Sequence, residues 1–172
     1  MRGPTSTAAH RVALAAMVVG LGYAAFSVYW GLGGTWLLST VGLAHRYDDA
    51  GALAAVWAAA GVKAVAALLP PWGVKRVSAR RSRRRRRRSL EATVAWQRRV
   101  RLLTWIEGVV LTGYGLVLTG AGVLVRTGVL HSARNADHRA LVWHACLWDP
   151  WFLVWGVLVL VALVLATRSA PS

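Results

Sequence analysis

The sequence predicts an all-α membrane protein in which four helices cross the bilayer as an antiparallel bundle. Apolar residues make up 56% of the 172 residues and charged residues only 16%, whereas a soluble domain needs charge along the outer face of each surface helix. Four stretches of 17 to 24 residues carry at most one charge each, and about 20 apolar residues suffice to cross the hydrocarbon core. The predicted spans are residues 12–30, 50–69, 102–125 and 151–167, within one membrane domain of residues 1–172.

The ends of the first two spans carry recognisable turn signals. Val12–Trp30 is longer than the apolar part of a signal peptide, about 7–15 residues, so we predict an uncleaved helix. The glycines of Gly31–Gly34 are predicted to end it. Asp48 or Asp49 is placed to cap the second helix, and the two prolines at 70–71 are predicted to end that helix.

The fourth span is preceded by an acid and a proline, Asp149 and Pro150. An acid at the N-cap followed by proline at the first helical position is a strong start signal. The helix is therefore predicted to begin there, after a separate short surface helix over 137–148.

The distribution of basic residues predicts the orientation. Thirteen of the 21 Lys and Arg residues lie between Lys75 and Arg101, in the loop 70–101. With four spans, both termini share a side with this loop, which gives that side 16 basic residues against four on the other. The positive-inside rule then predicts a multi-pass plasma-membrane protein with cytoplasmic termini.

The arginine-rich loop is predicted to contact anionic lipid headgroups at the cytoplasmic face. A nucleic acid partner is not predicted, because no aromatic residue interrupts the run and it is tethered between two spans. The predicted contact residues are Arg83, Arg84, Arg85, Arg86, Arg87 and Arg88.

Most of the ten tryptophans fall near the predicted ends of spans, where indole rings prefer to lie. Trp57 is the exception, about two turns into the second span. Those expected near the outer boundary are Trp30, Trp36, Trp143, Trp148, Trp151 and Trp155, and those near the inner boundary are Trp72, Trp96 and Trp105.

Lys63 and Glu107 are the charged residues inside the predicted spans, where a charge is costly. Lys63 lies six residues from Leu69, the predicted end of its span, and Glu107 lies six residues from Arg101, the last charge before its span, so equal depth favours a salt bridge. The alternatives are that Lys63 reaches the cytoplasmic surface alone, with Glu107 protonated or paired with an interfacial arginine, or that the two residues act in proton transfer or catalysis.

The predicted outer side gathers histidines and aspartates, the types of side chain that bind metals. Their spacing is too loose for a metal site, so we predict no metal and no cofactor. The single cysteine, Cys146, excludes an intramolecular disulfide. The residues concerned are His45, His131, His138, His144, Asp48, Asp49, Asp137 and Asp149.

Small residues recur along the spans and favour close packing of helices, because glycine and alanine let backbones approach in lipid. A groove for a lipid or prenyl chain is the alternative interpretation. In the third span they are Gly108, Gly113, Gly115, Gly120 and Gly122.

Two motifs frame the chain, YWGLGGTW at Tyr29–Trp36 and WHACLWDPWF at Trp143–Phe152. With them the sequence resembles an actinobacterial family of small four-helix membrane proteins classed as a domain of unknown function. The resemblance implies the architecture but no activity, and the arginine run resembles an addition to the family pattern. The motifs are expected to meet at the outer boundary through Tyr29, Trp30, Gly33, Gly34, Trp36, His144, Trp148, Asp149 and Trp151.

We therefore predict a compact bundle that binds a lipid or a membrane-protein partner and is not an enzyme. One alternative is an enzyme acting on a lipid or isoprenoid, with Glu107 or Asp149 as general acid and His144 as its partner. The other is a small transporter subunit that uses Lys63 and Glu107.

Overall fold

The computed structural model describes residues 4–41, 49–75, 87–129 and 142–168, and these residues are helical apart from turns. The prediction of an all-α chain with four helices long and apolar enough to span a membrane is confirmed. The elements are α1 (Pro4–Gly31), a short 3₁₀ turn (Leu38–Val41), α2 (Ala50–Gly73), α3 (Arg87–Arg126), a π-helical turn (His144–Trp148) and α4 (Asp149–Arg168).

Helix α4 lies at the centre of the packing and contacts both α1 and α3 along much of its length, while α1 also packs extensively on α2. Its Trp155 is almost fully buried against Ala16 of α1 and Ala67 of α2. At Gly20 of α1 a Cβ atom would lie 2.5 Å from the Trp155 ring. The small residues of α1 and α2 thus make room for one large side chain from α4.

The glycines of α3 form two rows, each with a spacing of seven residues. In the first row, Cβ atoms at Gly108, Gly115 and Gly122 would come within 2.7 Å of atoms of α4 or of the π-helical turn. In the second row, Gly113 and Gly120 have nothing within 4 Å of a Cβ position. A seven-residue repeat keeps residues on one helix face, so only the first row permits close approach to α4.

Helix α1 ends at Gly31 and Gly33 has a φ of 94°, so the predicted glycine stop is confirmed. The Asp49 carboxylate caps α2 by accepting the Gly51 amide at 2.9 Å. Trp57, the exception among the tryptophans, packs against Gly31, so it lies level with the end of α1. The first two turns of α2 extend past that level.

The prediction that the prolines at 70–71 end α2 is wrong, because α2 continues to Gly73. Proline removes its own amide but leaves its carbonyl available, and the amide of Val74 donates to Pro70. The Gln97 side chain also donates to the Trp72 carbonyl at 2.6 Å. These bonds satisfy carbonyl groups at the end of the helix. Helix α2 therefore extends four residues beyond the predicted boundary at Leu69.

Helix α4 begins at the predicted Asp149, but the prediction that Asp149 is a cap that separates it from the preceding helix is wrong. The chain is helical from Val142 onward, and Asp149 has helical backbone angles while its amide donates to the His144 carbonyl. Pro150 has no amide to donate, so the wider π turn falls where the regular ladder is interrupted anyway. Residues 142–148 therefore continue into α4, and residues 137–141 of the predicted surface helix lie outside the described residues.

Helix α3 is 40 residues long, about 60 Å at 1.5 Å per residue, and it begins before the predicted span. Arg87 and Arg88 therefore belong to a helix. Arg83–Arg86 lie outside the described residues.

We expect Gly115→Ala to destabilise the protein by about 1–3 kcal/mol, because its Cβ would lie 2.4 Å from the Leu153 amide nitrogen of α4. Gly113→Ala, two residues away with open space around it, should leave stability unchanged or raise it by up to about 1 kcal/mol. Thermal unfolding of both variants in detergent measures the difference. Equal losses would contradict the two-row assignment.

Candidate functional site

Aromatic side chains from α1 and α4 interlock where the two family-like motifs meet. Tyr23 and Trp148 have ring centroids 5.6 Å apart, and Trp30 and Trp148 are 5.5 Å apart, both edge to face. Such pairs add about 0.5–1.5 kcal/mol each beyond the area that they bury. We call this the aromatic cluster: Tyr23, Phe26, Trp30, Trp36, Trp148, Trp151 and Phe152.

Hydrogen bonds tie the turn after α1 to this cluster. The Trp30 indole donates to the Trp36 carbonyl at 2.9 Å, and the Trp36 amide donates to the Tyr29 hydroxyl at 3.3 Å. At Gly34 a Cβ atom would lie 2.3 Å from the Tyr29 ring. This turn therefore requires glycine at 34 for closeness and at 33 for its positive φ.

The fully buried indole of Trp148 donates to the Thr40 hydroxyl of the 3₁₀ turn at 3.1 Å. This bond joins the start of α4 to the segment after α1, 108 residues away in sequence. Thr40 itself is buried and donates to the Leu37 carbonyl. Sequence reasoning did not identify Thr40, because nothing in its neighbourhood marks a partner so distant.

His144 of the π-helical turn and Asp149, the first residue of α4, lie together, with His144 Nδ1 3.3 Å from Asp149 Oδ1. Asp149 is buried, whereas 38% of the His144 side chain is exposed. Among the described residues no three His, Cys, Asp or Glu side chains converge on a metal position. The other histidines and aspartates of the predicted outer group, apart from Asp49, lie outside those residues.

The structure does not bring Lys63 and Glu107 together. The Lys63 ammonium donates to the Ser27 hydroxyl at 2.9 Å and lies 4.3 Å from the Tyr23 ring centroid. Both Glu107 carboxylate oxygens are buried and have no hydrogen-bond partner in the described part of the chain. The predicted pair is thus replaced by a contact between α2 and α1.

The prediction of equal depth failed because it placed the end of α2 at Leu69. Gly73 packs directly against Thr104 of α3, so Glu107 is level with about residue 70 of α2. Lys63 lies seven residues further along, about 10 Å away along the axis. The alternative, in which Lys63 extends alone to the cytoplasmic surface, required a free ammonium. The Lys63 ammonium is instead bonded to Ser27.

A groove of about 390 Å³ runs between α1 and α2 from Asp49 to Lys63. Small side chains spaced by three and four residues leave it open on α2, and Ser27 and Trp30 close it on α1. We call it the α1–α2 groove; its lining is Ser27, Trp30, Asp49, Gly51, Ala52, Ala55, Val56, Ala59 and Lys63.

Sequence reasoning missed Ser27 and Tyr23 as partners of Lys63, although their spacing carried a signal. Tyr23, Ser27 and Trp30 follow each other by four and three residues, so they share one face of α1. A polar side chain between two aromatic residues on a helix face, opposite the only lysine of the next span, is a recognisable pattern.

The model of a protein family, described as "Protein of unknown function (DUF3995)", matches residues 20–159. The chain belongs to this family. The match covers about four fifths of the sequence, and both motifs of the aromatic cluster lie inside it. The predicted resemblance to a family of unknown function is thereby confirmed. Comparison with curated proteins and with solved structures gave no match to either.

We expect Thr40→Val to destabilise the protein by about 1–3 kcal/mol, because the buried Trp148 indole would lose its acceptor. Thr119→Val is the matched control, since its buried hydroxyl has no partner within the described ranges, and it should cost nothing. Unfolding midpoints in detergent provide the comparison. If Thr40→Val is as stable as the wild type, the bond between Trp148 and Thr40 does not stabilise the 3₁₀ turn.

Proposed function

We propose that the chain is a multi-pass plasma-membrane protein whose four helices form an antiparallel bundle with cytoplasmic termini. Contacts between α3 and α4 support the antiparallel order, since Gly108 packs on Leu160, Gly115 on Leu153 and Gly122 on Ala145. The excess of 16 basic residues over four supports the orientation.

The proposed cytoplasmic end is suited to anionic lipid headgroups. Trp72 and Trp96 are exposed there, with the Lys75 ammonium 3.5 Å from the Trp72 ring centroid. Exposed Arg98 and Arg99 lie on the same part of α3. They form a basic surface with interfacial aromatic residues, and the basic tract Arg83–Arg88 precedes them in the sequence.

The function that we propose is lipid binding, and the observation that carries it is the α1–α2 groove. The groove is lined mainly by alanine, valine and tryptophan and has one ammonium at its end. Apolar walls with few polar groups are typical of sites for amphiphilic ligands. A lipid supplies both parts, an apolar body and a polar head.

The alternatives have less support from the geometry. The transporter subunit required Lys63 and Glu107 to act together, yet Lys63 contacts Ser27 instead. The enzyme gains one observation, the contact between His144 and Asp149. Neither of those two residues lines the α1–α2 groove, so the groove does not support an enzyme that uses this pair.

The orientation is tested by fusing a reporter after residue 90 in the full-length protein. A phosphatase that is active only outside the cytoplasm should stay inactive, whereas a fluorescent reporter that matures in the cytoplasm should shine. The same fusions within 130–141 should give the opposite pattern. An active phosphatase after residue 90 would overturn the orientation.

Lipid binding is tested by filling the groove. Ala59→Leu should lower the fraction of protein that retains a bound lipid in native mass spectrometry, because Ala59 lines the groove. Ala58→Leu places the same side chain on the next residue, which is exposed and outside the lining, and should retain lipid as the wild type does. Equal retention by both variants, with unchanged unfolding temperatures, would refute the proposed function.

A further inference from the structure

We propose that the Lys63 ammonium binds the phosphate of an anionic glycerophospholipid seated in the α1–α2 groove. The inference rests on the proposed lipid binding and names the class of lipid. It assigns Lys63 and Ser27 as the residues that recognise the headgroup.

Lys63 has hydrogen-bonding capacity to spare. An ammonium carries three donors, and one of them is used by Ser27. Among the residues that the structure describes, no carboxylate forms an ion pair with Lys63, and the one ion pair there joins His144 to Asp149. A half-buried cation next to apolar walls is stabilised by an anion that enters with its own apolar body.

The charges along the groove favour one end for the phosphate. Asp49 is the only acid in its lining, and one Asp49 oxygen already accepts the Gly51 amide. Asp49 precedes Lys63 by 14 residues of α2, about 20 Å. A phosphate at Lys63 is therefore far from the carboxylate in the groove lining.

The depth of the ammonium suits a headgroup. Lys63 reaches Ser27, four residues before the end of α1 at Gly31. Trp57 packs on Gly31 and Trp30 lies beside it, which places indoles one turn from the ammonium. Because indoles concentrate at the headgroup level of a bilayer, the Lys63 ammonium lies close to lipid phosphates.

Around Lys63, α2 exposes Val62, Val65 and Leu68 on other faces of the helix than the groove. These side chains belong to the apolar part of α2, which is long enough to span a membrane. An anion that reaches the ammonium there does so with acyl chains in the surrounding hydrocarbon, which free phosphate lacks. For that reason we assign the anion to a membrane lipid and not to a soluble phosphate.

The test uses the full-length protein in nanodiscs or detergent, with dioleoyl phosphatidylglycerol, dioleoyl phosphatidylcholine and inorganic phosphate as probes. The wild type should bind phosphatidylglycerol about tenfold more tightly than phosphatidylcholine, because the choline cation of the latter repels the ammonium and offsets the attraction of the phosphate. Lys63→Met should abolish this preference and Lys63→Arg should restore most of it. Lys75→Met, the same change outside the groove, should keep it.

The outcomes separate this inference from the proposed function. If Ala59→Leu weakens the binding of both lipids while Lys63→Met keeps the preference, lipid binding stands and the role of Lys63 is refuted. If Lys75→Met loses the preference for phosphatidylglycerol to the same extent, the preference arises from general surface charge. That result would also refute the assignment. Full competition by inorganic phosphate would make the site one for a soluble anion. Unfolding temperatures confirm that each variant is folded.

Discussion

Close approach of helix backbones is the constraint on which this structure depends. Apolar side chains gain little by leaving lipid for a helix interface, so association relies on dense packing. The Trp155 ring enters the space left by Gly20 and Ala67, and α3 approaches α4 along Gly108, Gly115 and Gly122. A side chain at any of these four glycines would push two helices apart. The remaining features follow from where that packing is tight and where it is loose.

The packing is loose at the N-terminal end of α2. Alanine permits close packing of α2 at Ala67, whereas the small side chains Ala52, Ala55 and Ala59 leave the α1–α2 groove open nearer Asp49. Beside the groove the aromatic cluster is dense, and its indoles bond to Thr40 and to the Trp36 carbonyl. At one end of the bundle, the densely packed aromatic cluster thus lies beside the α1–α2 groove, a space that a ligand can occupy.

Some polar groups inside the helices have hydrogen-bond partners and others do not. Lys63 bonds to Ser27 and rests on the Tyr23 ring, and Thr104 bonds to the Val100 carbonyl of its own helix. Glu107, Thr112 and the Trp155 indole have no partner within the described residues. An unsatisfied polar group in hydrocarbon costs free energy. We have no physical account of why these three are retained.

The sequence by itself determined the elements that depend on local composition. Apolar length placed four helices, the glycines after Trp30 placed the end of α1, and Asp49 placed a cap, because each of these effects acts within a few residues. Only tertiary structure decided the partner of Lys63, the continuation of α2 past Pro70 and the helical turn that runs into α4 at Asp149. Each depends on a contact with a distant helix or on a backbone pattern that compensates a proline. Depth counted along one helix could not reveal how far its neighbour extends.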